Sequence, residues 1–362
     1  MTKKLTIINM AGNNLGDNAI LAGMIKKFSQ HHHLISCIVP DPQIARDSIE
    51  YTNLTWINLK NPINSIIEVV RSEHIVFGGG GIITDDSNWR DLYVLSLLLI
   101  GYITGADIQV YSLGVDIPKN KLVKILFRYI AKISKSITVR DKESKKRVKI
   151  MTGISPTILP DPAFVYLEEA DTTRTNLSKS NFNNITLCVN FRYIYKFGKG
   201  LNQEFLPNKA AKIITYILEY FKNAYIEFIP IGIGTKEYSN DVLFARNMIR
   251  YLTPDIRARV HIRDDTKKPH EILKILKECD GLLGMRLHSI IFATKLRKPF
   301  LAISYDQKVY DFLKMVELEK FSISPQEKPE KIAKKMILIL ENKHRIRWKG
   351  VDNIEARYLK DI

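Results

Sequence analysis

Two kinds of apolar pattern alternate along this chain. Short, nearly continuous apolar runs at Leu5 to Met10, 34–40, Thr55 to Leu59 and Ile75 to Phe77 read as strands buried on both faces. Between them, stretches such as Asn18 to Ser29, Ile63 to Arg71 and Glu143 to Met151 space their apolar residues three and four apart, as helices packed on one side do. This alternation predicts a parallel sheet with crossover helices. It continues through strands at Asp107 to Val115 and Ser136 to Val139. Thr157 to Leu159 then leads into Pro160-Asp161-Pro162-Ala163-Phe164, the expected exit from a first domain.

Glu168 to Asn184 is polar and without period, as an interdomain linker would be. Strands are then expected at Ile185 to Phe191, Ile226 to Ile233, Val260 to Ile262, Gly281 to Met285 and Pro299 to Ser304. Helices are expected over 208–222, 240–252 and 270–279, from Leu287 and from about Lys308. The last stretch is charged and helical, with Ile332, Met336, Ile339 and Leu340 on one face. The expected organisation is a first α/β domain over 1–168, a linker over 169–184, a second α/β domain over 185–326 and a helical tail over 327–362. No internal repeat is visible.

Three places carry candidate chemistry. The strand ending at Met285 turns directly into a helix, which puts Arg286, His288 and the Ser289 hydroxyl at a strand's carboxyl end and a helix's amino end. Open α/β sheets bind anions there; the plainer alternative is a capping serine with a surface arginine and a half-buried histidine. Gly78-Gly79-Gly80-Gly81 follows a buried strand, where backbone amides could form an anion nest or simply a tight turn. The opening strand, its turn at Ala11 to Asp17 and the following helix resemble the start of a Rossmann unit, but G-x-G-x-x-G is absent, so a dinucleotide is not the obvious ligand. Asp17 either caps that helix or stands over a cleft as a base. Arg140 also ends a strand, with Asp141 beside it as an ion-pair partner. His31-His32-His33 cannot all face one ion, so no metal site is expected.

Composition adds limits. The chain has 362 residues, 45% of them hydrophobic, enough for two cores. Cys37, Cys188 and Cys279 are odd in number and far apart, against a disulfide framework and in favour of a reducing cytoplasm. The apolar run after Met1-Thr2-Lys3-Lys4 is too short for a signal-peptide core, and Leu92 to Ile103 falls short of the roughly 20 residues a spanning helix needs. The net charge of +17 is compatible with nucleic acid, anionic lipid or acidic sugar polymers. No nucleic-acid-binding signature accompanies it, so a nucleic acid partner is not expected. Lysines and arginines alternate with apolar residues at helical spacing from Pro118 to Lys135, either as a membrane-facing surface or as an ordinary solvated face.

Several short motifs occur in order: Asn14-Leu15-Gly16-Asp17-Asn18-Ala19-Ile20, Gly78–Gly81, Val139-Arg140-Asp141 with Ser144, Asp161-Pro162-Ala163, Met285-Arg286-Leu287-His288-Ser289 with Ala293, and Pro299 through Val309. Together they resemble the polysaccharide pyruvyl transferase family from about Asn9 to Val309. The resemblance implies two Rossmann-like domains facing a central cleft, as in GT-B glycosyltransferases. It also implies transfer of the enolpyruvyl group of phosphoenolpyruvate to two hydroxyls of one sugar, giving a cyclic ketal and phosphate. Arg286, Leu287 and His288 would then contact phosphoenolpyruvate, with Arg140 as a second arginine, and the motifs containing Asn14, Gly16 and Gly78–Gly81 would contribute to substrate binding. One departure stands out: Ser112 and Asp116 occupy positions where the family usually has glycine, which puts the local backbone in question.

On this reading His288 protonates the donor and Asp17 is the candidate base, with no cofactor demanded. The acceptor would be a saccharide in a cell-surface glycan or its lipid-linked precursor, met in the cytoplasm or at the inner membrane face. A nucleotide-sugar glycosyltransferase would use the same fold, and a non-catalytic binder of anionic glycan or membrane would use the same charge.

Overall fold

The computed structural model describes residues 4–32, 34–83, 88–166, 185–194 and 205–360. The linker expected over 169–184 and His33 of the histidine run lie outside these residues. By its internal contacts the chain divides into two units. The first comprises Met1–Gly12, Asp17–Tyr166 and Ala356–Ile362; the second comprises Asn13–Gly16 and Leu167–Glu355.

The first unit holds a seven-stranded sheet made of β1 (Lys4–Ile8), β2 (Leu34–Val39), β3 (Leu54–Asn58), β4 (His74–Ile83), β5 (Asp107–Val115), β6 (Ser136–Val139) and β7 (Thr157–Ile158). Its spatial order is β3-β2-β1-β4-β5-β6-β7. The second unit holds a six-stranded sheet of β8 (Thr186–Asn190), β9 (Tyr225–Phe228), β10 (Val260–Ile262), β11 (Gly281–Gly284), β12 (Phe300–Ile303) and β13 (Ser322–Ile323), ordered β10-β9-β8-β11-β12-β13. All the strand pairings in both sheets are parallel. Chain order therefore reverses between β1 and β4 in one sheet and between β8 and β11 in the other. At such points two neighbouring crossovers leave in opposite directions and open a crevice beyond the strands' carboxyl ends.

The central strands β1, β2, β4, β5, β8, β11 and β12 are buried almost throughout, as strands covered on both faces are, whereas the edge strand β3 exposes Thr55 and Asn58. Ile8, Phe77, Ile108, Val110 and Phe127 belong to one buried cluster in the first unit. No helix among the described residues is long and apolar enough to cross a membrane.

Several expectations need correcting. The first helix begins at Leu15 rather than Asn18, because the Asn14 side chain accepts from Gly16 N at 2.9 Å and starts the turn early. The strand expected through Ile233 stops at Phe228, since the amides of Ile231 and Gly232 turn to Asp241 at 3.0 and 2.8 Å. The helix expected over 240–252 is α only from Asp241 to Met248 and tightens into a 3-10 turn at Ile249–Tyr251. The tail from residue 327 is helical, as expected. Its helix Pro329–Glu341 packs on the helix Pro207–Tyr220, where Tyr216 and Tyr220 donate to Glu330 and Glu341 at 2.6 Å each.

Candidate active site

Asn190 ends β8 and organises the second unit's switch point. Its Oδ1 accepts from Arg286 N at 3.0 Å, while its Nδ2 donates to Ile229 O at 2.9 Å and to Asp241 Oδ2 at 3.2 Å. Asp241 opens a helix and is fully buried, with one carboxylate oxygen already accepting the Ile231 and Gly232 amides. Arg286 closes the arrangement: its Nη2 lies 2.6 Å from Asp241 Oδ1, and its Nε lies 3.2 Å from both carboxylate oxygens. A guanidinium gripped edge-on by a buried, amide-supported carboxylate is held in place, and most of its charge is already matched. Arg286 thus fixes the turn after β11 as well as contributing to the field above it.

His288 is the second residue of the helix Leu287–Lys295, which is buried along its whole length. This explains why that helix shows no apolar stripe and why a polar side chain in it stands out. The Asn13–Gly16 segment lies against His288. Leu15 N donates to Ile231 O at 2.8 Å, and Ile233 N donates to Asn13 O at 3.0 Å. A Cβ on Gly16 would fall 2.0 Å from His288 Nδ1, so any side chain there would force the imidazole to move. Ser289, expected to present its hydroxyl to a ligand, is fully buried and donates to Arg286 O at 2.7 Å; it serves the turn. Leu287 is buried too.

Arg192, Tyr305 and Lys308 complete this end of the sheet and were not among the candidate residues. Arg192 follows β8, donating Nη1 to the Tyr305 hydroxyl and Nη2 to Tyr238 O, both at 3.0 Å. Its guanidinium carbon also lies 5.2 Å from the centre of the Tyr305 ring. Burial pushes the Tyr305 hydroxyl up, but the positive charges of Lys308, Arg192 and Arg286 pull it further down, leaving it below a tyrosine's ordinary value. The signal was available in the sequence: Arg192 and Tyr305 come directly after strands, as Arg286 does.

In the first unit, β4 continues through all four glycines, paired with β5, rather than ending in a free loop. Gly78, Gly79 and Gly80 have φ of 147°, 69° and 101°, which side chains resist. Gly78 is pressed on Tyr111 O, and Gly79 on Ile20 and Met24. Close packing therefore accounts for these two. Asn9, just past β1, donates to Gly78 O and Gly79 O at 2.7 and 2.9 Å and so ties β1 to β4 where the order reverses.

Asp17 lies in the first turn of its helix, not at the cap, with Oδ1 3.7 Å from the Cβ position of Gly80. Arg140 runs alongside Gly114 and places Nη2 3.6 Å from the Cβ position of Gly81, while its Nε lies 3.3 Å from Asp141 Oδ2. Asp17, Gly80, Gly81 and Arg140 thus share one unit, and Asn14, Gly16, Arg286 and His288 share the other.

The departure at Ser112 has a structural account. Ser112 takes φ 44°, a value that glycine adopts without strain. Its hydroxyl meets Leu159 O and Pro160 O at 3.2 and 3.0 Å. Asp116 accepts from Arg147 at 2.7 Å. Among the described residues no group of three or more His, Cys, Asp or Glu could hold a metal ion.

The family model described as polysaccharide pyruvyl transferase matches residues 14–307, a span that contains every site residue named above except Asn9, Asn13 and Lys308. The chain belongs to the polysaccharide pyruvyl transferase family. This family member is also similar in fold to solved nucleotide-sugar enzymes. The UDP-GlcNAc 2-epimerase of Methanocaldococcus jannaschii matches with a TM-score of 0.60 at 14% identity, covering 95% of this chain and 94% of the other. The S. aureus MnaA–UDP complex gives 0.59 at 10% identity, with 94% and 89% covered. The E. coli ADP-heptose LPS heptosyltransferase II gives 0.52 at 11% identity, with 94% and 99% covered. At these identities the likeness shows the GT-B-like α/β fold alone.

Proposed function

We propose that this transferase uses phosphoenolpyruvate to place a cyclic pyruvate ketal on two hydroxyls of a saccharide. Family membership supports the reaction class. The observation that carries the donor is the cluster of Arg192, Arg286 and Lys308 with Tyr305 beyond β8, β11 and β12. Phosphoenolpyruvate bears a carboxylate and a phosphate, and arginines with a helix amino end suit both.

In the proposed reaction His288 gives a proton to the methylene carbon of the donor, turning it into a methyl group. The neighbouring carbon, now electrophilic, takes one sugar hydroxyl oxygen, and that hydroxyl's proton passes to a base, for which Asp17 is the candidate. The C–O bond to phosphate breaks and phosphate leaves with the proton held by the base; the second hydroxyl oxygen then bonds the same carbon and its proton passes to His288, which closes the ketal and restores the acid. Proton transfer of this kind contributes about 10²–10⁴-fold. Arg140 and Gly80–Gly81, near Asp17 in the first unit, are candidates for the acceptor side. The acceptor we favour is a lipid-linked saccharide used at the inner membrane face, and no cofactor is required.

Phosphate release from phosphoenolpyruvate, measured against a panel of free and lipid-linked sugars, tests this reading. His288→Ala and Arg286→Ala should both lose most of the release; near-normal rates in both would sink the assignment. A nucleotide-sugar glycosyltransferase is the second reading, favoured by the UDP-bound structures with this fold. Calorimetry with phosphoenolpyruvate, UDP-sugars and GDP-sugars separates the two.

A further inference from the structure

The helix Lys121–Ile133 turns Val123, Phe127, Ile130 and Ala131 onto the sheet. Its outward face is not simply polar. Leu122 and Ile125 are each 62% exposed and Tyr129 47% exposed, and at three- and four-residue spacing they form one stripe. Lys121, Lys124, Arg128 and Lys132 form a second stripe beside it, and the helix contains no acidic residue. Arg128 is turned towards the next helix, donating to Met151 O at 2.8 Å.

The neighbouring helices extend both properties. The helix Asn88–Ile103 packs alongside and begins with Trp89, 85% exposed. Both helices follow neighbouring parallel strands, so Trp89 and Leu122 lie at the same end of the helical layer. On the other side the helix Lys142–Thr152 adds Lys145, Lys146 and Lys149, with Ile150 exposed among them. From Ile117 to Met151 there are twelve basic and two acidic residues. This one stretch thus carries ten of the chain's seventeen net positive charges.

We infer that this helical layer docks on an anionic lipid bilayer. Aliphatic and aromatic side chains beside lysines are what a membrane interface accommodates, the first in the acyl boundary and the second among anionic headgroups. A second copy of the chain would have to bring two such basic surfaces together. The inference adds a docking surface to the lipid-linked acceptor reading proposed above, but it is measured without turnover, so either can fail alone.

The test is co-sedimentation of the full chain with vesicles of phosphatidylcholine, alone or mixed with phosphatidylglycerol. Binding should require phosphatidylglycerol and weaken with salt. Replacing Lys121, Lys124 and Lys132 by Gln should weaken it about fivefold per lysine. The combined Leu122→Ser, Ile125→Ser variant should weaken it about tenfold or more, with the thermal midpoint unchanged because both side chains are exposed. Absence of wild-type binding to the anionic vesicles would overturn the inference, as would binding insensitive to both variants. A concentration-dependent dimer abolished by the serine variant, without vesicle binding, would assign the face to self-association instead.

Discussion

Arg286 meets Asp241 edge-on, Nη2 to Oδ1 at 2.6 Å, inside a pocket where the same carboxylate already holds two backbone amides. Removing the carboxylate charge leaves the guanidinium buried without its partner. Asp241→Asn should therefore destabilise the protein by about 3–5 kcal/mol, read as a lower urea midpoint. Arg286→Lys should not restore the wild-type midpoint, because an ammonium cannot form the fork. A wild-type midpoint in Asp241→Asn would show that the pair does not hold the turn.

Gly16 and His288 compete for one volume. Gly16→Ala should cost about 1–3 kcal/mol, as overpacking does, and should impair turnover by displacing the imidazole. His288→Ala removes the ring atoms but keeps the Cβ, 2.6 Å from that position, so adding Gly16→Ala there should cost less than it does in the wild type. Thermal midpoints of the two single variants and the double variant check this, and simple additivity would contradict a direct steric conflict.

The Tyr305 hydroxyl is drawn below its ordinary value by Lys308, Arg192 and Arg286, against the opposing effect of burial. Its folded-state ionisation is thus easier than in the unfolded chain. The resulting stability is fully present above the unfolded tyrosine value, about 10, and is lost as pH falls through the folded value. Ultraviolet titration should show a phenol ionising ahead of most of the others, and Tyr305→Phe should remove that early step. An unchanged titration curve would refute it.

At Ser112 a side chain occupies backbone that glycine would take freely, and the hydroxyl offsets the strain with two carbonyl contacts. Ser112→Ala keeps the strain and removes the contacts, so it should cost about 1–3 kcal/mol. Ser112→Gly should cost less, because it relieves the backbone. Denaturation midpoints in the reverse order would contradict this account.

Much of the fold was legible because buried parallel strands are short apolar runs with helices between them, and both sheets were found that way. The short edge strand β13, Ser322–Ile323, gave no such run. Ile229–Ile233 is apolar enough to read as a strand, yet its amides serve Asp241, a partner that lies beyond the local pattern. The turn at Arg286 and His288 was visible from strand-to-helix punctuation. The engagement of Arg286 by Asp241 was not, since their pairing depends on where two crossovers end. Arg192 and Tyr305 follow β8 and β12 as Arg286 follows β11, but only the folded sheet brings their side chains together. The glycine run was noticed for its dihedrals, while its close packing on Tyr111, Ile20 and Met24 could be seen only in three dimensions.

Asn13–Gly16 comes from the start of the chain but is counted with the second unit, where its backbone bonds Ile231 and Ile233 and its glycine seats the His288 ring. During synthesis the segment leaves the ribosome long before its partners exist. The environment of His288 is therefore a late, non-local product of folding, and such contacts form slowly. Expressing the second unit from residue 185 onward would leave an unfilled seat beside its histidine, and supplying the missing segment as a peptide would be the way to complete it.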